Sequence, residues 1–229
     1  MATSLSGAIR DAVGNLLRAF LDIVADDESS PLRDRTPDEV IAAKGGIHVV
    51  DAPSIGETYV DMLAGHGLPE LTAHGVRNPQ ANGGPPPNGS FAARFAEVRV
   101  DADLGLVRVA RIVSAIDAGR ILNEKLARSQ VIGGTVMGIG MTMLEENVFD
   151  RGTGRIANAT FGDYLIPAHA DVPNLEVVFV GTPDTVRPLG IKGIGEISIV
   201  GVSAAIANAV YHATGRRIRA LPITIEQLL

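Results

Sequence analysis

The sequence predicts an α+β fold with mixed sheets and hairpins packed with helices, and three observations carry that prediction. Hydrophobic residues make up 46% of the 229 residues, enough to bury a substantial core. FAARFAEVRVD and LVRVARIV each alternate in polarity around a turn at Asp101–Gly105, the pattern of a β-hairpin. The elements then run helix-rich part, hairpin, helix, hairpin, strand, helix. That is not the regular strand–helix alternation of a parallel α/β sheet.

The elements follow from local patterns, taken in chain order. Residues 8–25 place Ile9, Val13, Leu16, Leu17, Phe20, Leu21 and Val24 at steps of three and four, which predicts an amphipathic helix. Ser4, Ser6 and Gly7 stand before it as caps. Thr36-Pro37-Asp38-Glu39 reads as a second helix start, with Thr as cap and Pro in the first turn. Gly45-Gly46 turns the chain into a short strand, IHVV, and residues 54–64 suggest one more short helix. Residues 77–89, RNPQANGGPPPNG, are rich in Pro, Gly and Asn and read as a linker or surface loop. They separate a helix-rich part, 1–76, from a second part, 90–229.

After the hairpin, Arg128 to Leu144 reads as a helix holding Gly133, Gly134, Gly138 and Gly140. Each Gly in a helix costs about 1 kcal/mol against Ala, so four together imply close approach of another backbone or a ligand. A second hairpin is expected over Glu146–Ala159, a strand at LEVVFVGT, and a last helix from Ser198 to Thr214 stopped by Gly215. Met137, Met141 and Met143 are expected to fill core space.

Composition narrows the function. The net charge is −6 with no basic block, which argues against a nucleic-acid partner. The chain has no Cys, which excludes disulfides, cysteine nucleophiles and thiolate-held clusters on it. The five histidines lack ligand spacing, so no protein-ligated metal site is expected. The N-terminus lacks a signal-peptide pattern and no apolar run reaches the roughly 20 residues of a bilayer span, so cytoplasm is the expected location, or periplasm as part of a complex.

One carboxylate stands out, Glu196 in IKGIGEISIV, boxed in by Gly193 and Gly195. The glycines permit unusual backbone angles and leave space beside the chain. A helix start would favour the ionised form, whereas Ile194, Ile197 and Ile199 would desolvate it. A carboxylate between those influences can serve as a base near neutral pH. The same residues fit an ordinary first-turn Glu with no chemical role.

Four stretches carry a resemblance to a known family: GSFAARFAEVRVDADLGLVRV, DAGRILNEKLARSQVIGGTVMGIGMTMLEENVFD, DYLIPAHADVPNLEVVFV and PLGIKGIGEISIVGVSAAIANAVYHATGRRIRALPIT. Together they resemble the C-terminal, molybdopterin-binding portion of the molybdenum-binding subunit of the xanthine dehydrogenase / aldehyde oxidoreductase family, over residues 89–229. The resemblance implies an oxidoreductase with Glu196 as base on a molybdenum-bound hydroxyl. It is strongest to the bacterial type that oxidises aldehydes and uses molybdopterin cytosine dinucleotide. Purines and other N-heterocycles remain open as substrates, as does a remnant serving assembly only.

The resemblance also implies cofactor contacts. Gln130 would hydrogen-bond the pterin, its amide donating and accepting at a heterocycle edge, and Arg128 and Ser129 adjoin it. Lys192, Gly193, Ile194 and Gly195 would lie along the cofactor. Thr3, Ser4, Ser6 and Gly7 resemble a family stretch that holds the cofactor's phosphates at a helix start. Family subunits are usually much longer than 229 residues, so we expect either a split subunit completed by a larger chain or a truncated one. Iron–sulfur clusters and FAD are expected only on partner subunits.

Overall fold

The computed structural model describes residues 2–76 and 89–229, with the side chains of residues 2–4 and 188 outside the description. Apart from Gly89, the expected linker at 77–89 also lies outside the described residues. The chain forms two compact units, Met1–Pro85 and Pro86–Leu229.

The first unit opens with α1 (Ala2–Val24). Ser4, Ser6 and Gly7 therefore lie inside the helix rather than before it, a correction to their expected capping role. Only the C-terminal half of the apolar stripe is buried: Phe20, Leu21 and Val24 enter a core with Leu32, Ile47 and Met62. Ile9 and Val13 remain more than half exposed. The segment at 74–76 lies along the same half of α1, with Asn15 donating to the His74 carbonyl at 2.8 Å and the Val76 amide donating to Asp11 at 2.9 Å.

Three strands, β1 (Val40–Ala43), β2 (Gly46–Val49) and β3 (Ala52–Thr58), form an antiparallel sheet in that order, followed by α2 (Tyr59–Gly65). Two of the expected helices are thus corrected. The Thr36 amide and hydroxyl both donate to the Glu39 carboxylate, at 2.8 and 2.9 Å, but around a single 3₁₀ turn, Pro37–Glu39. Val40 and Ile41 then pair with β2 across a two-residue turn at Lys44 and Gly45, both at positive φ. Residues 54–58 likewise extend as β3, and the helix starts only where the Thr58 hydroxyl caps the Asp61 amide.

The second unit is built on a mixed sheet. β4 (Phe91–Asp101) and β5 (Leu106–Asp117) form the expected hairpin, with a bulge between Glu97 and Val98. β8 (Asn174–Val180) adds parallel to β5. Between them come α3 (Glu124–Met143) and the two-residue strands β6 (Phe149–Asp150) and β7 (Arg155–Ile156), and α4 (Val202–Thr214) follows β8. α3 starts four residues earlier than expected because Asn123 caps it, accepting from the Leu126 amide at 3.0 Å.

One core joins Val109 and Ile112 of β5 to Ile139 of α3, Val202, Ile206 and Val210 of α4, and Ile223. Each fully buried aliphatic of this kind contributes roughly 1.5–3 kcal/mol. A second core joins Ile116, Ala118, Val131 and Val177, with Ile194 and Ile197 packed against it. The three methionines of α3 depart from expectation: Met137 is 62% and Met141 41% exposed, and of the three only Met143 packs against a core.

Candidate functional site

The glycines of α3 explain how the site is assembled. A methyl group at Gly138 would stand 2.6 Å from Val202 Cβ, and one at Gly134 would stand 2.9 Å from the Ser198 carbonyl carbon. Residues 198–202 therefore rest on the bare helix backbone. Gly140 similarly makes room for Glu145 and Pro167. Gly133 faces the other way: among the described residues a Cβ there would meet nothing within 4 Å. The same is true of Gly193 and Gly195.

The stretch between β8 and α4 is fastened at both ends. Upstream, Ile191 bridges Gly119, the Lys192 amide donates to the Ala118 carbonyl at 2.9 Å, and the Arg120 amide donates to the Gly190 carbonyl at 2.8 Å. The Lys192 ammonium pairs with Asp117 at 2.7 Å, and both side chains are mostly buried. That hydrogen bond, reinforced by one from the Gly119 amide, holds the Asp117 carboxyl below its usual 3.8. Lys192 is thus neither an exposed loop lysine nor free of a partner.

Nearer Glu196, three side chains bind the backbone. Ser90 donates to the Gly193 carbonyl, and Gln130 to the Gly195 carbonyl at 3.2 Å. Arg94 of β4 donates to the carbonyls of Ile197 and Ser198, both at 2.8 Å, and of Val200 at 3.2 Å. Burial pushes the Arg94 guanidinium below its ordinary value, and an arginine remains charged there. Leaving such carbonyls unpaired would cost about 1–3 kcal/mol each.

Glu196 itself sits in a run of turns, not in the first turn of a helix, because α4 begins only at Val202, after Gly201 at φ 82°. The expected help from the helix dipole is corrected accordingly. The Glu196 carbonyl accepts from the Ile199 amide at 3.1 Å. Its side chain is exposed, since Ile194 and Ile197 turn into the core instead of enclosing it. Gly193 and Gly195 have no positive φ, so the space they leave, not their backbone freedom, is what distinguishes them. Among the described residues no cation pairs with Glu196.

The structure thus brings Gln130 beside Gly193–Glu196 and places Lys192 against Asp117. Arg128 turns away, donating to the Val177 carbonyl at 2.9 Å and stacking over Phe179. Thr3, Ser4, Ser6 and Gly7 belong to the first unit. The Ser6 hydroxyl is buried there without a hydrogen-bond partner among the described residues, and the side chains of Thr3 and Ser4 are outside the description. Arg94 and Ser90 escaped the sequence reading. Arg94 stands at an alternating strand position like any hairpin arginine, and its single signal was being charged on the face that points toward the core. A cavity of about 520 Å³ between β5, the end of α3 and the C-terminal tail includes none of these residues.

Residues 1–173 match the molybdopterin cofactor-binding domain family. The chain belongs to that family. Similarity extends to its enzymes: the chain is 49% identical over 141 residues to the aldehyde oxidoreductase molybdenum-binding subunit of Escherichia coli strain K12, covering 61% of this chain and 19% of that protein. It is 32% identical over 232 residues to the probable hypoxanthine oxidase of the same strain, covering 99% of this chain and 23% of that protein. The crystal structure of the aldehyde oxidoreductase from Desulfovibrio desulfuricans ATCC 27774 superposes with a TM-score of 0.64 at 28% identity, over 76% of this chain and 19% of that one. The chain therefore spans about a fifth of the length of these relatives. The family match ends at residue 173, ahead of the Glu196 loop. No described helix is long and apolar enough to cross a membrane.

Proposed function

We propose that this chain is the C-terminal, molybdopterin-binding portion of a molybdenum hydroxylase that oxidises aldehydes to carboxylic acids with water-derived oxygen, and that Glu196 is its base. The supporting observation is an exposed carboxylate, unpaired among the described residues, on a backbone held by hydrogen bonds, with Lys192 nearby in sequence already engaged by Asp117. A base needs such freedom from a cationic partner, since a partner would weaken its hold on a proton.

The residues present fit the cofactor. Gly133, Gly193 and Gly195 offer bare backbone where no atom of the described residues would meet an added Cβ, and Gln130 stands exposed among them. Gln130 would present its amide to the pterin edge while it supports Gly195, and the Gly193–Gly195 backbone would lie along the same group, with Lys192 fixing its approach. When bound, the molybdenum–pterin group supplies oxygen transfer and takes up two electrons. Glu196 would accept the proton of the water-derived oxygen as it attacks the substrate carbon, and the open backbone on either side would admit that carbon.

The N-terminal start of α1 offers free backbone amides, which attract anions. With the unpartnered Ser6 hydroxyl, it supports Thr3, Ser4, Ser6 and Gly7 as the holder of cofactor phosphates, in the cytosine dinucleotide form. Turnover would require a larger chain completing the site, and iron–sulfur and FAD subunits to remove electrons. A purine-type substrate is the second reading, supported by the likeness to a probable hypoxanthine oxidase along 99% of the chain.

The test is Glu196→Gln in the protein purified with its partners, with molybdenum and pterin measured. We expect full metal and pterin content with aldehyde turnover lowered about 10²–10⁴-fold. Near-normal turnover would show that Glu196 is not the base. Assaying hypoxanthine beside aldehydes decides between the two substrate classes.

A further inference from the structure

Arg94 reaches across from the hairpin to a loop more than a hundred residues away, and nothing assigned so far explains why. It lies on the inward face of β4, directly opposite Ser114 of β5. Its guanidinium meets no carboxylate among the described residues. Nε donates to Val200, Nη2 to both Ile197 and Ser198, and Nη1 to the Ser114 hydroxyl. The rigid fork of an arginine matches such a spread of acceptors, and a lysine's single ammonium cannot.

The acceptors matter because of where they are. They begin at the residue after Glu196 and end just before the left-handed Gly201 that starts α4. No regular element pairs them. Ser90 and Gln130 hold the backbone at Gly193 and Gly195, on the other side of Glu196. Glu196 is therefore the exposed residue between two anchored stretches, and one of the anchors is a half-buried charge rooted in the sheet.

We infer that Arg94 is a positioning residue for Glu196, holding the backbone of residues 197–200 so that the carboxylate is presented at a fixed point. The inference rests on the proposed role of Glu196. A base displaced by about 1 Å can lose up to 10²-fold in rate, so the clamp would act on kcat and not on binding.

The experiment uses the protein assembled with its partners and compares Arg94→Gln, Arg94→Lys and Ser114→Ala, each alone and with Glu196→Gln. Amide hydrogen exchange reads the loop without reference to activity. We expect Arg94→Gln to speed exchange at Ile199 and Val202 about tenfold or more while α3 amides stay unchanged. kcat should fall about tenfold or more with KM and molybdenum content within about twofold, and Arg94→Lys should recover only part of it. In the Glu196→Gln background the Arg94 change should add less than about twofold, because both act through one group.

Unchanged exchange at 199–202, or losses that multiply in the double variant, would overturn the inference even if Glu196→Gln alone is inactive. Normal turnover in Glu196→Gln would instead remove the proposed base, and with it the catalytic purpose of the clamp, while the exchange result stood. Should Arg94→Gln fail to fold, Ser114→Ala removes only the anchor behind the guanidinium. It should then give the same pattern at smaller amplitude, and wild-type exchange and kcat in it would overturn the inference.

Discussion

Gly134 and Gly138 press against protein, whereas Gly133, Gly193 and Gly195 face space open among the described residues. The first pair lets residues 198–202 settle onto α3, and a side chain there would push the loop carrying Glu196 off its seat. The second group leaves backbone bare where packing asks for nothing. One residue type, within a few positions of the same helix, thus serves assembly in one case and a vacant face in the other. The difference separates what the protein needs in order to fold from what it would need in order to bind a flat group and a substrate.

Substitutions can break that distinction. The largest effect should come from Gly195→Val, whose Cβ meets no neighbour among the described residues and which should melt like wild type, yet should lower turnover of the assembled enzyme by about 10²-fold by obstructing the approach to Glu196. Retained turnover would mean the open face is not the route. Gly138→Ala should behave in reverse, with the folded state destabilised by about 1–3 kcal/mol in denaturant titration because Val202 has no room to move.

The Lys192–Asp117 pair fixes the near edge of the same loop, and Asp117→Asn should destabilise by about 1–3 kcal/mol at neutral pH. The Asp117 carboxyl is held below 3.8 in the folded state, so its contribution is complete above that value and fades as pH falls through the depressed one. The gap between wild type and Asp117→Asn, followed by thermal melts across acid pH, should therefore narrow below about pH 4. Smallest is Gly133→Ala, which removes a helix glycine from an open position and should stabilise by up to about 1 kcal/mol. If the pterin lies there, the same variant should purify with less of it.

Much of the second unit was legible because its signals are local. The alternation of 91–117 specified the β4–β5 hairpin, and Gly215, at φ 74°, ends α4 where its freedom from a Cβ predicted. The start of α4 was misplaced by four residues because Ser198–Gly201 carry helix-compatible apolar spacing. Their turns are held by Arg94, a bond between residues far apart in sequence. In the first unit Val40 and Ile41 followed a helix-start pattern, yet pairing with Val49 and His48 won. Propensity is a weak prior when a neighbouring strand can satisfy the backbone.

By itself the sequence determined the class of fold and the residues that stand out chemically, because periodicity, turn residues and a glycine-flanked carboxylate are written along the chain, and its resemblance to a known family pointed to the family. The tertiary structure decided which glycines are filled and which are open, that Lys192 belongs to Asp117, and that Arg94 carries the loop. Those relations arise where side chains from β4, β5 and α3 converge on one short segment, and no local pattern encodes the distance between groups that only folding brings together.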